Sequence, residues 1–203
     1  MHPRLGLTVF LVSLVSCRSA APAPRTDLGE HPPSPVRVAF EAESAKFAAA
    51  TEEYQRLWSV EHERIVSTME AVSRLRFDSP PYADTAIRAV VFEGISFSGH
   101  REVPMKLRAS YPTNTKRATL VHELGHRLQT GVAPRGEDEH EVLFLWLYDV
   151  WVRLYGRQFA DSQVAVERAR GGPYPRAWSA ALSLTVSERQ AKFHRMVEAS
   201  QQP

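Results

Sequence analysis

The sequence predicts an α+β domain: a small sheet, one helix that carries a metal-binding motif, and several further helices packed around both. Three observations lead there. Residues 36–77 lack proline and glycine and are rich in Ala, Glu and Arg, as long helices are. Residues 87–111 hold apolar and β-branched runs punctuated by Gly94 and Gly99. Residues 118–155 hold two helix-patterned stretches separated by a break at Val132-Ala-Pro-Arg-Gly136. With 203 residues, 43% of them hydrophobic, the chain can build a core without disulfide staples, and it has a single cysteine. The net charge is only +2, with arginines spread along the whole length, so no basic stripe points to nucleic acid.

The N-terminus reads as an address. Arg4 precedes the apolar run Leu5–Val15, which is the size of a signal-peptide core and too short to span a bilayer. The run ends Leu14-Val15-Ser16-Cys17, which resembles the lipobox of bacterial lipoproteins. That resemblance implies cleavage before Cys17, a lipid on Cys17, and a mature protein held in the cell envelope as a membrane-anchored lipoprotein. Arg18, where an Asp is linked to inner-membrane retention, favours the outer membrane. The proline-rich residues 17–36 form a semi-stiff tether, so the expected division is 1–16 signal peptide, 17–36 tether and 37–203 folded domain.

Within the domain, residues 36–77 are expected to form one or two helices. Tyr54, Trp58, Ile65, Met69 and Val72 recur at helical spacing and form the buried stripe. His62 lies on that stripe and is read as a packing histidine. The prolines after Asp78 stop the helix. Ile87–Phe92, a short Ile95–Phe97 companion and Val103–Tyr111 are expected strands, one of which would offer a free edge to an extended peptide. Val142–Tyr155 is apolar nearly all round and interrupted by Asp149, which makes it a buried helix rather than a span. Asp149 needs a partner there, either a metal-ligating histidine or an arginine such as Arg153. Residues 157–198 read as two more helices about the Gly171-Gly-Pro-Tyr-Pro175 turn.

The chemistry is concentrated in His122-Glu123-Leu124-Gly125-His126. Residues four apart on a helix share a face, with Cβ atoms about 5–6 Å apart, so His122 and His126 can reach one metal ion. Glu123 lies one step round, where it serves as a base instead of a ligand. Leu120, Val121, Leu124 and Leu128 give the helix an apolar face, Thr113 or Asn114 can cap its start, and Gly131 can end it.

A catalytic zinc usually takes three protein ligands and keeps one position open. The cluster Glu137-Asp-Glu-His-Glu141 is the source of the third. His140 is the leading candidate, because imidazole suits zinc, with Glu141 next and Glu137, Asp138 and Glu139 behind.

His122-Glu-Leu-Gly-His126 resembles the motif of the zincin metallopeptidases in full, and the likeness extends over Ile87–Tyr155. The resemblance implies a zincin-like fold with a mostly antiparallel sheet above the active-site helix. It also implies a zinc hydrolase of peptide bonds, with Glu123 as general base, His122, His126 and a third residue as ligands, and a peptide or protein as substrate. The chain lacks the longer metzincin signature, since Val132 stands where the third histidine would be. Candidates for the oxyanion donor are Tyr111, Tyr148 and His100. The competing reading is a non-catalytic envelope lipoprotein that uses such a scaffold for binding.

Overall fold

The structure, a computed structural model, describes residues 32–77, 86–98, 102–134, 136 and 138–201. The proposed signal peptide, Cys17, most of the tether, His100, Arg101 and Glu137 lie outside the described residues.

The chain enters through a strand, β1 (Val38–Ala42), and not through a helix. These five residues alternate too briefly to stand out from the helix-forming sequence behind them, and their partner arrives only later. A single 3-10 turn leads into α1 (Ala48–Ser73), whose Tyr54, Trp58, Ile65, Met69 and Val72 are all buried as expected. The helix closes at Arg74 in the left-handed conformation, φ 60°. The chain then returns as β2 (Ile87–Phe92), pairing with β1 in parallel from Val38 opposite Ile87 to Ala42 opposite Val91. Parallel neighbours need a crossover, which α1 supplies.

β3 (Met105–Arg108) also runs parallel to β2, from Ala89 opposite Met105 to Phe92 opposite Arg108. The sheet is therefore β1-β2-β3 with every strand parallel, which overturns the expected mostly antiparallel, zincin-like sheet. Gly94 does not turn β2 into a hairpin. Instead the chain next pairs with β2 at Met105, in parallel, and the expected Ile95–Phe97 strand contributes one antiparallel bridge, Phe97 to Lys106. The cue lay in Ile87-Arg-Ala-Val-Val-Phe92, where Ala89, Val90 and Val91 follow one another without alternation and are all buried, as in a parallel strand covered on both faces.

Five helices follow: α2 (Thr113–Leu128), α3 (Glu139–Tyr155), α4 (Arg157–Arg168), α5 (Tyr174–Leu182) and α6 (Val186–Ser200). Neither Thr113 nor Asn114 caps α2, because Thr113 donates to Glu53 on α1 and Asn114 accepts from Arg117. Gly131 does take positive φ in the turn beyond α2. The expected two C-terminal helices are three, since Thr185 and Glu188 form a reciprocal capping box that starts α6.

α3 is the hub, packed against each of the other five helices. Its Phe144, Trp146, Leu147 and Trp151 join Tyr54, Ile65 and Met69 of α1 and Val91 and Leu107 of the sheet in one continuous core. Asp149 pairs with Arg189 of α6, Oδ1 to Nη2 at 2.6 Å, and not with Arg153 or a metal-site histidine. Among the described residues no helix is long and apolar enough to cross a membrane.

Candidate metal centre

α2 meets α3 at Gly125, where an added Cβ would lie 2.6 Å from Leu143 Cδ1 and 3.3 Å from Trp146 Cη2. This close approach brings the first turn of α3 over the face of α2 that bears His122 and His126. His140, the second residue of α3, completes the group: one nitrogen from each of the three rings can be chosen so that all lie within 4.8 Å of one another. The three histidines are thus close enough to hold a metal ion.

Each ring is oriented by a carboxylate on its Nδ1. His122 Nδ1 lies 2.7 Å from Glu167 Oε1 at the end of α4. His126 Nδ1 lies 3.2 Å from Glu139 Oε2, and His140 Nδ1 lies 2.8 Å from Asp138 Oδ1. Glu167 is fully buried and also accepts from the Trp178 indole at 2.8 Å. Burial alone would raise the Glu167 carboxyl, but His122, the charge of Arg170 and the Trp178 indole together hold it below the usual glutamate value. The His126 hydrogen bond does the same for Glu139. At Asp138, the backbone N–H and ring of His140 overcome the opposing effect of burial. Asp138 thereby caps α3 and aims the His140 ring in one gesture.

The protonation pattern follows. An ionised carboxylate only accepts, so each Nδ1 carries the proton and each neutral ring presents a bare Nε2. Burial is the main cause pushing all three histidines below the ordinary imidazole value, which keeps them neutral. His122 Nε2 and His126 Nε2 then face each other at 3.1 Å with lone pairs on both sides and no proton between them. That contact is repulsive by itself, and a cation shared by the two nitrogens relieves it. The donor set therefore fits a metal, and ring-orienting carboxylates of this kind are the usual outer partners of metal-binding imidazoles.

Glu123 is 2% exposed and its Oε2 has no hydrogen-bond partner among the described residues. Burial first, and then the charge of Glu167, push its carboxyl up to about 8 against the opposing pull of Arg170 and Arg127. It belongs to no ligand cluster, which leaves it free to handle protons. Exposure is graded across the site: the His122 side chain is 2% exposed, His126 9% and His140 20%, so the centre opens toward α3.

Glu141 is drawn away by Arg176, at 2.6 Å, so of the candidate third ligands it is His140 that the fold brings to the pair. His62 holds its own helix, Nδ1 3.1 Å from Trp58 O, as a packing residue does. Tyr148 donates to Asp161 at 2.7 Å and is spent there. The edge of the sheet at β3 is not free. On the outer side of β3, Lys106 exchanges backbone bonds with Phe97, Arg108 N–H donates to Ser96 Oγ, and Arg108 O accepts from Tyr54.

Sequence reasoning missed Glu167, Trp178, Tyr174 and Arg170, which come from helices read as plain packing and from the turn between them. Tyr174 packs its ring 4.6 Å from that of His140, and Arg170 sits over the rings of both Tyr111 and Tyr174. No spacing in the chain links these residues to His122. No family model, curated protein or solved structure matches the chain, so its chemistry is read from these side chains.

Proposed function

We propose that the protein is a zinc-dependent peptidase, with His122, His126 and His140 as ligands and Glu123 as general base. The observation that carries the reading is the convergence of three imidazoles, each with its Nδ1 held by a carboxylate, beside a buried carboxylate with an unengaged oxygen. Three neutral nitrogen ligands with a fourth position left to solvent are the usual set of a catalytic zinc. When bound, Zn2+ supplies Lewis acidity that acidifies water toward a pKa of about 7, and its charge favours the ionised form of Glu123.

The remaining work falls to the chain. Glu167, Glu139 and Asp138 fix the tautomer and aim of the three rings, so the nitrogens are in place before substrate arrives. Glu123 takes the proton from the water that attacks the scissile carbonyl and returns it to the leaving amine, which leaves Glu123 ready for the next turn. Burial makes it a stronger base than an exposed glutamate. Tyr174, against His140, stands where a neutral donor could meet the developing oxyanion.

The test is a pair of measurements on the purified chain and its Glu123→Gln variant. Both should contain one equivalent of zinc, while hydrolysis of a peptide library falls in the variant by about 10²–10⁴-fold, the contribution of a general base. A parent that binds zinc but hydrolyses no peptide would favour a binding lipoprotein; loss of zinc from the variant would make Glu123 a ligand and end the scheme. The reading includes an envelope location through a lipid on Cys17, motivated by Leu14-Val-Ser-Cys17. Cys17→Ser should move the protein from the membrane to the soluble fraction, and retention in the membrane would refute the anchor.

A further inference from the structure

Beside the three histidines stands a guanidinium, that of Arg170. Arg170 is partly buried between α4 and α5, and among the described residues it forms no ion pair. Its guanidinium lies 5.3 Å from the centre of the Tyr111 ring and 5.7 Å from that of Tyr174. Tyr174 in turn packs on His140, so one aromatic ring separates the guanidinium from a candidate ligand. The nearby Glu167 acts on it through its charge but forms no ion pair with it, and its two oxygens accept from His122 and Trp178.

Stacking of this kind holds the fork of an arginine in place while leaving its donors free, and a guanidinium recognises a planar carboxylate by paired hydrogen bonds. A second observation points the same way. The outer edge of β3 is occupied by Phe97, Ser96 and Tyr54, so a substrate cannot be gripped by adding a strand there. At that edge recognition falls to side chains around the metal centre, and among the described residues Arg170 there forms no ion pair.

We propose that Arg170 is a specificity-determining residue that binds a carboxylate of the substrate close to the scissile bond, with Tyr111 and Tyr174 as its walls. The substrate class this selects is a peptide with a free carboxylate near the cut, as at a C-terminus. The proposal rests on the three histidines holding zinc.

Two small probes separate the proposal from that premise. Propionohydroxamate chelates the metal alone, and succinic monohydroxamate adds a carboxylate a short chain away. Their affinities are measured by calorimetry on the zinc-loaded full chain, on Arg170→Gln and on Arg170→Lys. The parent should bind the carboxylate probe about tenfold or more tighter than the neutral one, as a charge-assisted pair gives. Arg170→Gln should bind the neutral probe as the parent does and lose the preference, and Arg170→Lys should keep part of it. Equal binding of the two probes by the parent overturns the carboxylate site while leaving the metal centre standing. A parent that binds neither probe overturns the metal centre, and the proposal with it. Loss of the neutral probe in both variants makes Arg170 a structural residue. If instead both variants keep the preference and hydrolyse C-terminally amidated and free peptides with the same lowered turnover, Arg170 serves the reacting oxygen and the specificity assignment is wrong.

Discussion

Glu167→Gln tests the metal centre through a residue that never touches the metal. Glu167 accepts two N–H bonds in a buried setting, from His122 Nδ1 at 2.7 Å and from the Trp178 indole at 2.8 Å. A glutamine has one acceptor oxygen and one donor NH2, so it can answer only one of these donors. With its oxygen toward His122, its NH2 opposes the indole N–H, and a buried unsatisfied donor costs about 1–3 kcal/mol. With its NH2 toward His122, the ring must move its proton to Nε2, which removes the lone pair the metal needs. In the first arrangement the bond to His122 also drops from charge-assisted, about 1.5–3 kcal/mol, to neutral, about 1 kcal/mol. Either route should weaken zinc affinity by about 10–100-fold, the usual effect of losing an outer partner. The assay is competition for Zn2+ against a fluorescent chelator, with thermal melts of the metal-free proteins run alongside to separate folding from binding. Zinc affinity unchanged in a folded Glu167→Gln protein would refute the claim that the carboxylate holds His122 for a metal.

Three further outcomes follow from the same geometry. Gly125→Ala should gain under about 1 kcal/mol in helix propensity but lose about 1–3 kcal/mol to overpacking against Leu143 and Trp146. The net effect is lower stability in urea melts and weaker zinc binding, because α3 carries His140; a more stable variant would show that the α2–α3 contact yields freely. Asp149→Ala should cost about 3–5 kcal/mol by leaving Arg189 buried without its partner, with zinc affinity of the folded fraction preserved, and a neutral effect in denaturant titrations would count against the pair. For pH, the sign comes from the depressed imidazoles: rings whose folded value lies below the ordinary one stay neutral where unfolded histidines already gain protons. In Glu123→Gln, which removes the carboxyl that burial raises to about 8, zinc affinity should therefore hold level down to about pH 6.5 and fall only below it, whereas a decline beginning well above that point would contradict the burial argument.

Local pattern made some of this readable in advance. The stripe of α1, the burial of α3 and the pairing of His122 with His126 depend on residues a few positions apart, and helical geometry alone brings such residues together. The pull of chemistry toward His140 rested on the donor type and a short return loop, and the fold does bring that ring to the pair. β1 and the direction of the strands were not readable in the same way. A five-residue strand takes its identity from a partner some fifty positions away (Val38 opposite Ile87), and Gly94 permits a turn without requiring a hairpin.

The sequence by itself determined which helix carries the metal motif and which helix is buried, because both are properties of a single periodic segment. Only the tertiary structure decided that Glu167, and not Asp149, orients His122, that Arg189 is the partner of Asp149, and that Arg170 and Tyr174 stand beside the site. Those partners come from α4–α6, and from the 170–174 turn between α4 and α5, packed around α3. A buried carboxylate or guanidinium is defined by what desolvates and answers it, and for each of these groups that partner lies on a different element of the chain.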